Sequence, residues 1–181
     1  MTRLNSIDPK LAQGEVKTLL DGVQAKLGMT PNLIRTFANS PAVLNAYLGF
    51  SGALQAGALP AKLREQVALT VSELNRCAYC LGAHTALGHA AGLTDEAIQD
   101  ARRGESPDRK AEAALRFSRR IVEARGWLED ADLVAAREAG FNDGEISELV
   151  ANVALTIFTN YFNHVAQTEE DFPAVPQLSA R

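Results

Sequence analysis

Cysteine is nearly absent from this chain: only two occur in 181 residues, three apart, as Cys77-Ala78-Tyr79-Cys80. That scarcity excludes a framework of structural disulfides, and with 46% apolar residues a core can form without one. A basic stripe is missing too. Lys and Arg number 18 against 22 Asp and Glu, interspersed to a net charge of -4, which excludes the electrostatic footprint of a nucleic-acid binder. No apolar run reaches membrane-spanning length before Thr, Asn or Ser interrupts it. The first residues, Met1-Thr2-Arg3-Leu4-Asn5-Ser6, lack the apolar core of a signal peptide, so a cytoplasmic chain without membrane contact is expected. Strand patterning, with alternating apolar residues and β-branched enrichment, is absent as well.

What remains is helical. Apolar positions recur every three or four residues, among Ala, Leu, Glu, Arg and Gln. Pro9, Pro31, Pro41, Pro60 and Pro107 stand where helices begin, and Gly28, Gly57, Gly92, Gly104, Gly126 and Gly140 where they end. The pattern predicts helices over Pro9 to Leu27, Pro31 to Ala38, Pro41 to Ala56 and Pro60 to Asn75. A further helix runs from the cysteines to Ala91, and Thr94 opens a short one. Others cover Pro107 to Arg125, Asp130 to Ala139 and Asp143 to Glu169. The tail from Phe172 should be extended or docked on a neighbour. One all-α domain over residues 1–181 accounts for the whole chain.

A faint internal repeat is present. Shifting by 83 residues lays Glu65-Gln66-Val67-Ala68 over Glu148-Leu149-Val150-Ala151, and Cys77-Ala78-Tyr79-Cys80 over Asn160-Tyr161-Phe162-Asn163. If this is a duplication, the 143–171 segment is a second copy that has lost its thiols and serves as scaffold.

Both thiols fall at one spot, with His84 one helical turn past the second. On a helix, Cys77 and Cys80 have Cβ atoms roughly 5–6 Å apart, and small rotations bring them to disulfide geometry. Helical side chains lean toward the N-terminus, so His84 is aimed back at Cys80. A competing effect favours Cys77: if Asn75 caps a new helix, Cys77 lies in its first turn, where the dipole promotes a thiolate. An imidazole can also carry a proton away, which a dipole cannot, and this nominates Cys80 as the attacking sulfur. Among carboxylates, Glu73 is near if the helix is continuous, whereas nothing local brings Glu65 to the thiols. His89 reads as structural or exposed, and His164 as a packed or interface histidine. The Phe37, Leu44, Tyr47, Leu48, Phe50 stripe and the Ile157, Phe158, Tyr161, Phe162, Val165 cluster read as core or subunit contact, the first also as a wall for a pocket.

The pattern Glu65-x11-Cys77-x2-Cys80-x3-His84 resembles the alkylhydroperoxidase AhpD-like family, within the carboxymuconolactone decarboxylase superfamily. The likeness spans roughly residues 41–92, and the ending Thr159 to Ala166 followed by Asp171-Phe172-Pro173 looks like its longer peroxidase-related members. The resemblance implies an all-α fold, subunits associated as trimers or hexamers, and a dithiol peroxidase. In it Cys80 is the nucleophile, Cys77 the proton donor and resolving thiol, and Glu65 with His84 a proton relay. A hydroperoxide would be the substrate. No cofactor is expected beyond an external reductant: a lipoyl protein, a thioredoxin-like protein or a small dithiol. This chain departs from well-studied members at Tyr79, which stands where they carry a His between the cysteines. A phenol titrates near pH 10 and is a poor base at neutral pH. Two rival readings accompany the peroxidase: a redox-sensing module whose dithiol switches assembly, and a metal site built from Cys77, Cys80, His84 and Glu65 or Glu73.

Overall fold

The computed structural model describes residues 2–176 and 178. Among them lie nine α-helices and no strand: α1 (Gly14–Leu27), α2 (Asn32–Phe37), α3 (Pro41–Gln55), α4 (Ala61–Leu74), α5 (Ala78–Ala90), α6 (Asp95–Arg103), α7 (Arg109–Glu123), α8 (Asp130–Glu138) and α9 (Asp143–Ala166). None of these helices is long and apolar enough to cross a membrane.

Short polar side chains set several of the starts. Ser40, Thr94, Asp108 and Asn142 each accept the backbone N–H three residues on, from Val43, Ala97, Ala111 and Glu145 respectively. Such a cap contributes about 1 kcal/mol by satisfying a donor that has no partner inside the helix. Asn142 and Glu145 cap each other reciprocally, since Glu145 Oε2 accepts from the Asn142 N–H at 2.9 Å.

α4 is the axis of the molecule, packed against α5, α6, α7 and α9. Its residues Leu63, Val67, Leu69, Val71, Thr70 and Ser72 are all buried, so the helix has little polar face to turn to solvent. One apolar cluster joins α4 to α6, α7, α8 and α9 through Val67, Ile98, Leu115 and Leu149. A second joins α1, α2 and α3 through Leu20, Ile34, Phe37 and Leu44. α5 straddles the two. Its Leu81 belongs to the first cluster, while Tyr79, Cys80 and the preceding Cys77 belong to the second.

Several boundaries differ from the sequence expectation, each for a local reason. α1 begins at Gly14 rather than Pro9, because Asp8 closes a single turn first, accepting from the N–H groups of Lys10, Leu11 and Ala12. Pro31 and Pro60 occupy the cap position just outside their helices rather than the first turn, and Asp108 takes that place beside Pro107. α9 stops at Ala166 instead of Glu169, where Gln167 turns left-handed at φ 49°. The described part of the tail carries no helix and packs on its own chain. Phe172 meets Tyr79 edge to face at 5.9 Å, and the Pro176 carbonyl accepts from Arg102 Nη2 at 2.9 Å. The 143–166 segment forms one unbroken helix, unlike the two-helix segment with which the 83-residue shift aligns it.

Candidate active site

The joint between α4 and α5 creates the site. α4 ends at Asn75, Arg76 takes the left-handed conformation at φ 55°, and the chain reverses. The Arg76 N–H bonds to Glu73 O and the Cys77 N–H to Ser72 O, both at 3.0 Å, so two otherwise unpaired carbonyls of the helix end are satisfied. Cys77 is then itself the first cap of α5: its sulfur accepts the Cys80 N–H at 3.3 Å. The pair is therefore not two neighbours on one helix face. Asn75 does not cap α5 either, since Cys77 holds that position. The two sulfurs are joined as a disulfide, with Cα atoms 5.3 Å apart, and both residues are buried.

Around the pair, three elements contribute polar groups. Glu65 on α4 places Oε2 2.8 Å from His84 Nδ1 on α5, with both side chains about four-fifths buried. Twelve residues of sequence separate Glu65 from Cys77, and the helix reversal at Arg76 is what folds α5 back alongside α4. Asn163 on α9 donates from Nδ2 to Cys80 Sγ at 3.3 Å, while its buried Oδ1 has no partner. One turn earlier, Asn160 donates to Ser72 Oγ at 3.2 Å and accepts from Asn75 Nδ2 at 2.9 Å, fastening the α4–α5 joint to α9. Glu73 lies elsewhere: it pairs with the buried Arg102 at 2.8 Å.

Tyr79 is held firmly. Its hydroxyl donates to Asp171 Oδ2 at 2.6 Å and accepts the Leu33 N–H at 3.2 Å; Asp171 Oδ2 also accepts the Asn32 N–H at 2.7 Å. Burial, and then its bond to the Asp171 carboxylate, push the phenol far above its ordinary pKa. It is a neutral donor at any physiological pH. Phe172, next in the tail, crosses α5 at Gly82, where a Cβ would stand 3.0 Å from Phe172 Cβ and 3.3 Å from Pro173 O.

A cavity of about 330 Å³ opens on this constellation. Its wall includes Cys80 and His84, together with Leu33, Ile34, Tyr47, Leu48, Ala83 and Phe172, but not Cys77. Of the aromatic and aliphatic stripe on α2 and α3, Tyr47 and Leu48 wall the cavity, Phe37 and Leu44 are core, and Phe50 is exposed. The Tyr47 phenol is also raised, by burial and then by the nearby Glu65 charge.

Residues 41–124 match the carboxymuconolactone decarboxylase family. An uncharacterized peroxidase-related protein from Silicibacter sp. TM1040 superimposes with a TM-score of 0.79 at 26% identity, over 93% of this chain and 94% of that one. An AhpD-core peroxidase-related protein from Ralstonia eutropha JMP134 does so with a TM-score of 0.83 at 24% identity, over 94% and 92%. The chain thus carries a carboxymuconolactone decarboxylase-family region over residues 41–124, within an AhpD-like fold that spans nearly its whole length. The AhpD-like fold is shared by the debrominase Bmp8, solved with 2,3,4-tribromopyrrole, at a TM-score of 0.79 and 18% identity over 94% of this chain and 92% of that one. No functionally curated protein matches the sequence.

The AhpD-like pattern Glu65, Cys77, Cys80 and His84 is thus brought to one place, with Cys80 and His84 on the cavity and Glu65 behind the imidazole. His89 is engaged by the Leu93 carbonyl and Asp95, and His164 stacks on Tyr161. Asn163 and Asp171 were not singled out from sequence. A signal for the first existed: Asn152, Thr156, Thr159, Asn160 and Asn163 form a polar stripe at helical spacing on an otherwise apolar α9, and all five are buried. Among the described residues, no three His, Cys, Asp or Glu side chains converge to hold a metal ion.

Proposed function

We propose that this chain is a thiol-dependent peroxidase that reduces an organic hydroperoxide through a Cys77–Cys80 dithiol cycle. The observation that carries the reading is the position of Cys80. It lines the apolar cavity beside His84, whose ring is tied to Glu65 at 2.8 Å, while its redox partner Cys77 stays off the cavity wall.

In the reduced protein, His84 oriented by Glu65 takes the Cys80 proton, and Asn163 donates to the resulting thiolate. The thiolate attacks the terminal peroxide oxygen and the O–O bond breaks. The departing alkoxide takes the proton held by His84 and leaves as the alcohol, and Cys80 is oxidised to a sulfenic acid. The Cys77 sulfur then attacks Cys80 Sγ, the S–O bond breaks, and the hydroxyl leaves as water with the Cys77 proton. An external dithiol, a lipoyl group or a thioredoxin-like protein, attacks the disulfide at Cys80, the sulfur on the cavity wall, and is itself oxidised. Cys77 departs as a thiolate, and its place at the start of α5 suits that charge. Recycling of this kind belongs in the reducing cytoplasm. Self-association as a trimer or hexamer is supported by apolar side chains left exposed on α9, Phe158, Tyr161 and Val165.

The test is stopped-flow oxidation of the reduced protein by cumene hydroperoxide, with intact mass followed in time. Rapid loss of the two dithiol hydrogens, abolished in Cys80→Ser, is expected; Cys77→Ser should instead trap a sulfenic or overoxidised Cys80. Oxidation no faster than that of a free thiol would refute peroxidase function and leave a redox sensor, most of all if oligomer size then tracks the disulfide. 2,3,4-Tribromopyrrole serves as the competing substrate, because a protein of the same fold is a debrominase.

A further inference from the structure

The cavity carries one permanent charge. Setting aside His84, which is bound to Glu65, Lys26 is the only ionic side chain among the described residues on its wall, and no described Asp or Glu lines it, although the chain as a whole is acidic at -4. Lys26 is not loose. It donates to Gln55 Oε1 at 2.8 Å, and Gln55 in turn donates from Nε2 to Ser51 Oγ at 3.2 Å, with all three residues on the cavity wall. Gln55 is a neutral acceptor, so it orients the ammonium without neutralising it. Around the same opening stand Leu27, Met29 and Leu87, which are unusually exposed for their size at 51%, 38% and 43%. Lys26 also lies in the last turn of α1, where a cation complements the helix dipole. That role requires no cavity, and the experiment below separates the two.

An apolar body, a redox sulfur on the wall and a single oriented cation define a ligand by chemistry. We propose that the cavity takes an anionic amphiphile: a medium-chain fatty-acid hydroperoxide whose carboxylate meets Lys26 while its chain lies on Leu27, Leu48 and Ala83. The size agrees. A cavity of about 330 Å³ has room for a medium chain at interior packing density. The identity of the ligand as a hydroperoxide rests on the peroxidase reading; its anionic, apolar character does not.

The test therefore uses ligands that cannot react. Calorimetric titration of the disulfide form with decanoate and with decanol compares one chain with and without charge. Decanoate should bind about fivefold tighter, the upper end for a partly exposed ion pair. Lys26→Met should abolish that preference while leaving decanol affinity unchanged, and Lys26→Arg should retain it. Equal affinity for acid and alcohol overturns the inference, as does a preference that survives Lys26→Met. Binding of neither, which would follow if a second copy of the chain covered the opening, overturns it too. Turnover of 10-carbon hydroperoxides as free acid and methyl ester completes the comparison. Lys26-dependent decanoate binding without turnover removes the peroxidase and keeps the site. Turnover indifferent to the carboxylate does the reverse.

Discussion

Replacing Asn163 by Ala isolates one bond on the redox sulfur. The amide donates to Cys80 Sγ at 3.3 Å, and the two residues are 4% and 3% exposed, so solvent does not screen the interaction. A hydrogen bond to a charged group is worth about 1.5–3 kcal/mol, and 1.36 kcal/mol corresponds to one pKa unit. Loss of the donor should therefore raise the Cys80 thiol pKa and slow its alkylation at neutral pH roughly tenfold or more. Stability should suffer less than at an ordinary buried Asn. The wild-type side chain already buries an unpaired Oδ1, a burden of about 1–3 kcal/mol that Ala removes together with the bond. Asn163→Asp, which sets a carboxylate against the sulfur, should raise the thiol pKa at least as far. The assay is the pH dependence of Cys80 alkylation by iodoacetamide in the Cys77→Ser protein, read by mass, with urea denaturation run in parallel. An alkylation midpoint that stays put in Asn163→Ala, or a stability loss large enough to explain the whole effect, would refute the reasoning.

Two further outcomes follow from the tail. Tyr79 and Tyr47 both have phenol pKa values raised on folding, so the unfolded chain ionises first above about pH 10. Their contribution is intact below that pH and is lost as pH climbs toward the folded values. Urea denaturation between pH 8 and 11 should show stability falling at the alkaline end, and Tyr79→Phe should flatten the fall while losing about 1–3 kcal/mol at pH 7 through the lost bond to Asp171 and the Leu33 N–H left without an acceptor. Gly82→Ala should cost about 1–3 kcal/mol and loosen the tail, since its Cβ meets Phe172 and the Pro173 carbonyl. Limited proteolysis after residue 168 checks this; unchanged protection would mean that the tail yields without strain.

Local chemistry was legible wherever it was local. Capping residues and prolines marked most helix ends, and the spacing of Cys77, Cys80 and His84 pointed to a place where the folded chain does gather them. Glu65 was different: it lies on a separate helix, and only the Arg76 reversal brings it to His84, so no spacing rule could find it and the family pattern had to. The reversal itself was invisible because Arg, not Gly, occupies the left-handed position, at a cost of about 1–2 kcal/mol that the two helix-end bonds offset. Asn163 was hidden for another reason. The 83-residue shift laid it over Cys80 as a scaffold position, and the folded chain sets the two in contact.

Cys77 closes one helix with its backbone and opens the next with its sulfur. Redox state and local fold are therefore linked quantities. A thiolate is a better acceptor for the Cys80 N–H than a disulfide sulfur, so reduction strengthens the start of α5, and by reciprocity any contact stronger in the reduced form makes the disulfide easier to reduce. Any change in the Asn160 bonds that fasten this joint to α9 as the disulfide opens would thereby shift how readily it is reduced, from a residue that does not itself contact either sulfur.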